Sequence, residues 1–403
     1  MILSVTRAIP TAAAVILATL AIGSPRAMAL DEATRQRGRE AAAKAIEYLR
    51  TQQDQDSGAW AYNPEGPNLP AVTGLVVTGM LKDPRIDARD ASVRAGIDYM
   101  LDTQQPDGGI YDVILPNYNT SICLSALAEA QTPDAAAALS RGRSFLLGLQ
   151  YHEGGEWGAE APDFTEPVDP SHPYYGGVGY GKHGRPDLSN LAFFLQAMHD
   201  TGVSADDPAF QRALVFLSRT QMLDESNDMP YADGSSQGGF IYATVPNRES
   251  IDGRVGQSQA GEFEETIDDG TSVSRLRAYG SMTYAGFKSL IFADLERTDP
   301  RVVAAERWIR EHYTLDENPG LGDDGLYYYY LMMARALGAW GESELAPAPG
   351  EEPIDWRADL IDTLASLQAE DGRFAVRSSR WMEDNEVLIT AYALLALQEA
   401  LGR

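Results

Sequence analysis

Six segments of this 403-residue chain share one layout, and this repetition constrains its fold more than any other feature. Each segment has an amphipathic stretch, then a glutamine, a glycine-rich turn with an aromatic residue, and a more apolar stretch. The glutamines are Gln52, Gln104, Gln150, Gln221 and Gln368. The turns follow at residues 56–60, 107–111, 154–157, 238–240, 322–326 and 371–374, and the fifth copy lacks the glutamine. Such repeats predict a protein in which one supersecondary unit packs against its neighbours.

The last stretch of each copy is apolar over most of its circumference, which predicts a helix that is buried on every side. These stretches are residues 73–81, 120–130, 188–199, 281–290, 327–337 and 387–400. The first stretches carry charge along one face and are predicted to form an outer layer. A closed ring explains six inner helices that are apolar all round, because they face one another across a central cavity. The sequence therefore predicts an all-α fold, a single α/α toroid of six helical hairpins.

Two copies have long insertions between their outer and inner stretches. The loops cover about residues 151–186 in the third copy and 222–279 in the fourth, on the same side of their hairpins. Insertions on one face of a repeat protein are usually where binding takes place. We therefore place the toroid at residues 30–403 and expect a functional rim at these two loops.

The first 29 residues have the pattern of a secretory signal peptide. Arg7 supplies the positive start, residues 12–22 form an apolar stretch too short to span a bilayer, and residues 27–29 give a small-x-small cleavage pattern. An uncleaved membrane anchor is the alternative interpretation. The pattern predicts export to the periplasm or the extracellular space, with no membrane-spanning segment left after cleavage.

The charge balance argues against nucleic acid as a partner, and the cysteine count excludes disulfides and multi-cysteine zinc sites. Lys and Arg number 32 against 59 Asp and Glu, a net charge of −27 that repels the backbone of nucleic acids. Cys123 is the only cysteine, so neither an intramolecular disulfide nor a multi-cysteine zinc site can form. The sequence predicts no metal and no other cofactor, and it leaves the oligomeric state open.

The repeated aromatic, Leu, Gln and Gly-Gly-Trp/Phe pattern resembles the QW repeats of the terpenoid cyclase and protein prenyltransferase superfamily, in particular squalene-hopene cyclase-like proteins. The resemblance covers residues 35–402, and residues 185–190 and 279–290 resemble segments of exported bacterial proteins in this group. It implies an α/α toroid with a deep central cavity for an apolar, polyprenoid-like ligand. In cyclases of this group an acid protonates the ligand and starts its cyclisation.

The sequence departs from that superfamily in three ways. Squalene-hopene cyclases have two toroids, whereas this chain has length for one. Their acid lies in an Asp-x-Asp-Asp motif that opens an inner helix, and the counterpart here, residues 187–190, keeps only the first acid. Protein prenyltransferases hold zinc with Asp, Cys and His, and Cys123 stands in no such set. These departures leave the activity open.

Two aspartates are the candidate catalytic acids. Protonating an alkene needs a neutral carboxylic acid shielded from water, with aromatic rings to stabilise the carbocation. Asp187 precedes an inner helix and is either that acid or the N-cap of the helix. Asp269 lies upstream of another inner helix and is either a second acid or part of a solvated loop. The acidic pairs at residues 323–324 and 383–384 also precede inner helices, and we interpret them as structural partners of the helix dipole.

Tyrosines around the predicted cavity are candidate ligand contacts, because they offer both ring faces and hydroxyl donors. The alternative is that they pack with their hydroxyls at the rim. Basic side chains near the third-copy loop are candidates for binding a polar or anionic group of the ligand. The candidate ligand-binding residues are Tyr175, Tyr180, His183, Arg185, Asn190, Tyr279, Tyr284, Tyr327 and Tyr328.

Three functions remain open from the sequence. The chain is a cyclase-like enzyme acting on an apolar polyprenoid, a non-catalytic toroid that binds a ligand or a protein, or a carbohydrate-active toroid. A dry aromatic pocket with one buried acid favours cyclisation, whereas paired carboxylates on opposite walls favour glycan chemistry. A cavity filled by the 222–279 loop favours binding or scaffolding.

Overall fold

The computed structural model describes residues 30–154, 164–266, 270–346 and 352–403, in which twelve α-helices alternate between an outer and an inner layer. The outer helices are α1 (Glu32–Thr51), α3 (Ala91–Asp102), α5 (Ala135–Leu147), α7 (Pro208–Thr220), α9 (Pro300–Glu311) and α11 (Trp356–Leu367). The inner helices are α2 (Pro70–Leu81), α4 (Pro116–Ala130), α6 (Leu188–Asp200), α8 (Gly280–Phe292), α10 (Leu326–Trp340) and α12 (Glu386–Ala400). Two short antiparallel strand pairs complete the described part: β1 (Glu262–Thr266) with β2 (Ser272–Leu276), and β3 (Glu344–Leu345) with β4 (Ile354–Asp355).

Aspartate side chains cap most of the outer helices. Asp90, for example, accepts hydrogen bonds from the backbone N–H groups of Ser92 and Val93, which have no partner within the helix. The aspartates that act in this way are Asp31, Asp90, Asp207, Asp299 and Asp355. Two inner helices begin instead with Pro70 and Pro116, whose fixed φ suits the first helical position. These residues set where the helices begin.

The inner helices form a closed ring. Each contacts the next inner helix along the chain, and α12 contacts α2. At that junction the Gln398 side-chain Nε2 donates to the Gly79 carbonyl at 3.0 Å, and the Lys82 ammonium lies 3.2 Å from a Glu399 carboxylate oxygen. A Cβ atom at Gly79 would lie 2.8 Å from Leu394, so glycine permits this close approach. The predicted all-α toroid of six hairpins is confirmed.

A recurring glutamine joins neighbouring hairpins. Its side-chain amide donates to the carbonyl of the turn glycine in its own hairpin and to a carbonyl of the next outer helix. Gln104 bonds in this way to Gly108 at 2.8 Å and to Ala138 at 3.0 Å. Gln368 closes the ring by donating to the Ala41 carbonyl in α1 at 2.9 Å. These contacts, the glutamine bridges, are made by Gln53, Gln104, Gln150, Gln221 and Gln368.

Two of the predicted repeat positions are wrong. In the first hairpin Gln53 makes the bridge, whereas the side chain of Gln52 is exposed, because adjacent residues at the end of a helix point in different directions. In the third hairpin Gln150 pairs with Val178, so residues 176–178 form the turn of the glutamine bridge; of the predicted turn at residues 154–157, residues 155–157 lie outside the described residues. The third-copy insertion therefore lies mostly before the glycine turn.

The loops that lead from outer to inner helices lie at one end of the ring, which we call the loop pole. The two longest join α5 to α6 and α7 to α8, and the second contains the β1–β2 hairpin. The predicted signal segment, residues 1–29, and the candidate acid Asp269 lie outside the described residues. None of the described helices is long and apolar enough to cross a bilayer.

Candidate functional site

The ring contains a cavity of about 460 Å³ at the loop pole. This volume is within the range of about 300–1,000 Å³ typical of small-molecule sites. Its wall is formed by the first turns of the inner helices and by residues of the loops that precede them. No lysine, arginine or histidine among the described residues lines it. The cavity is therefore suited to an apolar ligand.

Tyrosine rings form much of the cavity wall. The Ser189 hydroxyl lies 2.8 Å from the hydroxyl of Tyr328 and accepts a hydrogen bond from Tyr118, so these polar atoms satisfy one another. Phe193, one turn further along α6, contacts the same two rings at centroid distances of 5.2 and 6.2 Å. The six tyrosines that line the cavity are Tyr118, Tyr180, Tyr242, Tyr279, Tyr328 and Tyr392.

Glu383 is the only carboxylic acid among the described residues that line the cavity. It precedes α12 in the chain, but its carboxylate accepts hydrogen bonds from the backbone N–H groups of Tyr328 at 2.8 Å and Tyr327 at 3.3 Å, at the start of α10. Only 1% of its surface is exposed. Burial raises the pKa of Glu383 to about 7, although these N–H groups favour the carboxylate. At neutral pH the group therefore exists in both protonation states.

Asp187 is completely buried beside the cavity but is not part of its wall. One carboxylate oxygen accepts the backbone N–H of Asn190 at 2.9 Å, and the other accepts its side-chain amide at 2.8 Å. Burial raises the pKa of Asp187 to about 6 against these hydrogen bonds. Burial, and next the negative charge of Asp187, raises the pKa of Tyr242, whose hydroxyl lies 2.7 Å from that of Tyr180. Asp187 is thus the N-cap of α6 and lies behind a tyrosine pair of the wall.

The loop between α11 and α12 supplies part of the cavity mouth in an unusual backbone conformation. Trp381 and Met382 have φ of 54° and 66°, in the left-handed region that large side chains rarely occupy. Both side chains line the cavity and remain nearly half exposed. The Arg380 guanidinium lies 4.2 Å from the centroid of the Trp381 ring, and glycine at position 325 leaves room for that ring, since a Cβ atom there would lie 2.9 Å from it. Backbone strain of this kind is common at ligand sites.

Three of the predicted ligand contacts lie in the wall, namely Tyr180, Tyr279 and Tyr328. Two others pack away from the cavity. Tyr284 contacts Tyr329 edge to face at a centroid distance of 5.6 Å, and Tyr327 donates its hydroxyl to the Ala375 carbonyl at 2.7 Å. Their predicted roles in binding receive no support from their positions.

The remaining predicted contacts surround the cavity at a greater distance. The Tyr175 hydroxyl donates to Glu153 at 2.8 Å, and the side chain of His183 is exposed. Arg185 donates to the Val245 carbonyl at 2.8 Å and packs over the ring of Tyr242. Asn190 holds Asp187, as described above. None of these four residues lines the cavity.

Several wall residues are not among the predicted ligand contacts. Tyr118 and Tyr392 belong to predicted inner helices, but the hydrophobic pattern does not show which face of a fully buried helix meets the cavity. Trp381 and Met382 could have been noticed as large apolar residues in a polar loop. Glu383 was interpreted as a partner of the helix dipole. It does bind the start of a helix, but the helix is α10 rather than α12, and the contact places its carboxyl in the wall.

Several solved structures have folds similar to that of this chain. A variant of the type II terpene cyclase MstE from Scytonema, in complex with its substrate geranylgeranyl dihydroxybenzoate, matches with a TM-score of 0.50 and 13% identity over 92% of this chain and 98% of that one. A family 76 glycoside hydrolase from a bovine Bacteroides thetaiotaomicron strain matches with a TM-score of 0.53 and 10% identity, over 89% and 77% of the two chains. The unsaturated glucuronyl hydrolase of Bacillus sp. GL1 matches with a TM-score of 0.50 and 11% identity, over 90% and 96%.

At these identities the similarity shows the shared α/α toroid alone. No family model matches the sequence, and neither does any curated protein. No group of three or more His, Cys, Asp or Glu side chains in the described ranges is placed to hold a metal ion. The choice among the possible functions therefore depends on the cavity itself.

Proposed function

We propose that the cavity binds an apolar, polyprenoid-like molecule and that Glu383 starts its cyclisation or isomerisation by donating a proton. The observation that carries this proposal is a single buried carboxyl in a wall otherwise made of tyrosine rings, Trp381 and mainly aliphatic side chains. Export of the chain, which residues 1–29 predict, is part of the same proposal. The substrate-bound terpene cyclase with this fold supports an apolar ligand.

The reaction follows from the surroundings of Glu383. Its pKa of about 7 leaves a large fraction of the carboxyl protonated at neutral pH. When the proton is transferred to a C=C bond, the alkene electron pair forms the new C–H bond, and a carbocation remains on the ligand. The N–H groups of Tyr327 and Tyr328 stabilise the carboxylate left on Glu383. Transfer of a proton from a carbon next to the cation back to the Glu383 carboxylate then forms the new C=C bond, restores the acid and gives a product with the composition of the ligand.

The aromatic wall stabilises the positive charge that this reaction creates. Ring faces attract cations, and the attraction is stronger where water is excluded. Six tyrosines and Trp381 line the cavity, and no lysine, arginine or histidine among the described residues of the wall opposes the cation. Hydroxyl groups such as those of Tyr118 and Tyr328 are held by Ser189, which reduces their availability to trap the cation.

The cavity is less suited to glycan chemistry. Most glycoside hydrolases use two carboxyl groups on either side of the scissile bond. Glu383 has no second carboxylic acid facing it among the described wall residues. The nearby Asp187 lies behind the wall, and Asn190 binds both of its carboxylate oxygens. Similarity to two carbohydrate-active toroids therefore reflects the fold rather than this site.

The experiment compares three proteins with a panel of acyclic prenols and prenylated aromatic compounds, using mass spectrometry to detect products of unchanged mass. We expect the wild type to convert at least one compound, Glu383→Gln to bind it without conversion, and the matched control Asp384→Asn to retain activity. Asp384 is adjacent and exposed, so the control removes the same charge outside the cavity. Binding without conversion by the wild type contradicts the catalytic proposal, and an absence of binding contradicts the apolar ligand.

A further inference from the structure

The cavity wall has an aliphatic side and a side that carries hydroxyl groups. The α1–α2 hairpin contributes only aliphatic side chains to the described wall, namely Leu69, Ala71, Val72 and Leu75. In the ring of six inner helices α8 lies opposite α2. The α7–α8 hairpin contributes Tyr242, Tyr279, Ser281 and Met282, and the neighbouring α5–α6 hairpin contributes Tyr180 and Ser189. A bound molecule therefore meets hydrocarbon on one side and hydrogen-bonding groups on the other.

Most hydroxyl groups of the wall have partners within it. Those of Tyr180 and Tyr242 lie 2.7 Å apart, and Ser189 binds those of Tyr118 and Tyr328. Buried polar groups in proteins are nearly always paired in this way. These groups therefore do not need a ligand to complete their hydrogen bonds.

Tyr279 and Tyr392 are different, because their hydroxyl groups have no hydrogen-bond partner in the described ranges. Tyr392 is half-buried, so solvent reaches its side chain. Tyr279 is only 2% exposed, and burial raises its pKa well above the usual value, so the hydroxyl keeps its proton. A buried donor without an acceptor is unfavourable. Because Tyr279 lines the cavity, we look for its acceptor in a molecule bound there.

The backbone fixes Tyr279 before any ligand binds. Its N–H donates to the Phe240 carbonyl at 3.2 Å, and its carbonyl accepts the N–H and the hydroxyl of Thr283, both at 2.9 Å. Two positions further on, the Ser281 hydroxyl accepts the side-chain amide of Asn318 at 3.3 Å, which leaves its own proton to be donated. Donors on a fixed backbone lose little freedom on binding, which favours recognition of an oxygen-containing group.

The charges around the cavity favour a neutral group over an anion. No lysine, arginine or histidine of the described wall is available to bind an anion. Arg380 lies at the mouth, but its guanidinium already binds Asp324 at 3.0 Å and Gln259 at 2.9 Å. The carboxyl of Glu383, when ionised, repels an anionic ligand. An alcohol or a carbonyl group therefore suits the site better than a phosphate or a carboxylate.

We infer that the ligand carries a neutral oxygen group, an alcohol or a carbonyl, that hydrogen-bonds to Tyr279, and that its hydrocarbon chain lies against the aliphatic side formed by α2. This inference rests on the apolar ligand of the proposed function, but not on proton donation by Glu383. The ligand oxygen also occupies the hydroxyl of Tyr279, which reduces its availability to trap a carbocation.

The test compares the binding of farnesol and of the hydrocarbon farnesene to the full chain, followed by tryptophan fluorescence because Trp381 lines the cavity. All proteins carry Glu383→Gln, so that conversion does not interfere and binding is measured alone. We expect farnesol to bind about tenfold more tightly than farnesene. Adding Tyr279→Phe should weaken farnesol binding about tenfold and change farnesene binding by less than about twofold.

Tyr62→Phe is the matched control, because it removes a hydroxyl from a side chain that is 40% exposed and outside the wall, and it should change neither affinity. Tyr279→Phe should also keep the thermal stability of its parent, since its hydroxyl binds no residue of the described ranges. A loss of stability with equal effects on both compounds would assign Tyr279 a structural role and overturn the inference.

Three other results overturn the inference. The first is an unchanged farnesol affinity in Tyr279→Phe, and the second is a farnesol-specific loss in Tyr392→Phe instead. The third is tighter binding of farnesoic acid than of farnesol at about pH 8, where the acid is ionised. In all three cases the apolar ligand of the proposed function stands. If neither farnesol nor farnesene binds, the apolar ligand itself is contradicted, and this inference with it.

Discussion

The protonation state of Glu383 has a measurable consequence for stability. Burial raises its pKa from an ordinary 4.5 to about 7. A carboxyl whose pKa is raised by folding contributes stability that is fully present below the unfolded pKa and is lost as the pH rises through the folded pKa. Between pH 5 and pH 8 these two pKa values correspond to a loss of about 2.5 kcal/mol in the free energy of unfolding from this group.

Glu383→Gln removes the titrating group and keeps a side-chain oxygen that can accept the Tyr328 N–H. We therefore expect the free energy of unfolding of the variant, minus that of the wild type, to rise by about 2.5 kcal/mol from pH 5 to pH 8. Asp187 and the buried Lys288, whose pKa burial lowers to about 7, titrate in both proteins, so their contributions cancel in the difference. Urea unfolding followed by circular dichroism at several pH values gives this quantity.

Asp384→Asn provides the control for the same series, because its side chain is exposed and the difference from the wild type should stay nearly constant with pH. A Glu383→Gln difference that is equally flat would refute the reasoning. It would mean that Glu383 is ionised throughout this range, held as a carboxylate by the N–H groups of α10. The neutral acid needed for alkene protonation would then be missing from the cavity wall.

Three further predictions concern the scaffold. Asp187→Asn keeps an acceptor for the N-terminus of α6, so we expect thermal unfolding to show a stability loss of about 1 kcal/mol or less. We also expect the variant to retain turnover, and a loss of turnover would assign the acid role to Asp187. Gln53→Ala should lower the free energy of unfolding by about 2–4 kcal/mol in urea titrations, because the buried Gly58 carbonyl and the partly buried Ser92 carbonyl lose their donor. Gln52→Ala should change it by less than about 0.5 kcal/mol. Gly372→Ala should lower the free energy of unfolding by about 3–5 kcal/mol, since φ is +94° and the new Cβ atom would lie 2.2 Å from a backbone carbonyl oxygen. The matched variant Gly202→Ala, where φ is +78° but no atom lies within 4 Å, should lower it by about 1–2 kcal/mol.

The architecture was predictable because it depends on patterns that recur along the chain. Helices that are apolar on all sides, such as 188–199 and 387–400, can be buried only between other helices, and six of them require a ring. The glycine turns were also visible. The third turn was misplaced because residues 154–157 have the two glycines and the aromatic residue of the other turns, whereas residues 176–178 have the glycines without the aromatic, and only the pairing of Gln150 with Val178 identifies them.

The site was less predictable because its residues come from different hairpins. Glu383 reaches the wall by binding the N-terminus of α10, a helix that begins more than 50 positions earlier in the chain. Tyr284 and Tyr328 occupy similar positions near the start of inner helices, yet one packs against Tyr329 and the other lines the cavity. That difference depends on the rotation of each helix about its own axis, which a uniformly apolar sequence does not fix.

The glutamine bridges leave one junction of the ring different from the others. In the described residues no glutamine joins the α9–α10 hairpin to α11. The outer layer is joined there by the β3–β4 pair, the Trp356 indole bonded to the Glu342 carbonyl at 2.8 Å, and Tyr313 bonded to Asp359 at 2.9 Å, while α10 and α12 remain in contact in the inner layer. A closed circle of hairpins has no free end from which to unravel, so local unfolding must begin by separating one pair of neighbours. We expect amide hydrogen exchange to be fastest along this boundary. On slow timescales the closed ring would then open preferentially between these two hairpins.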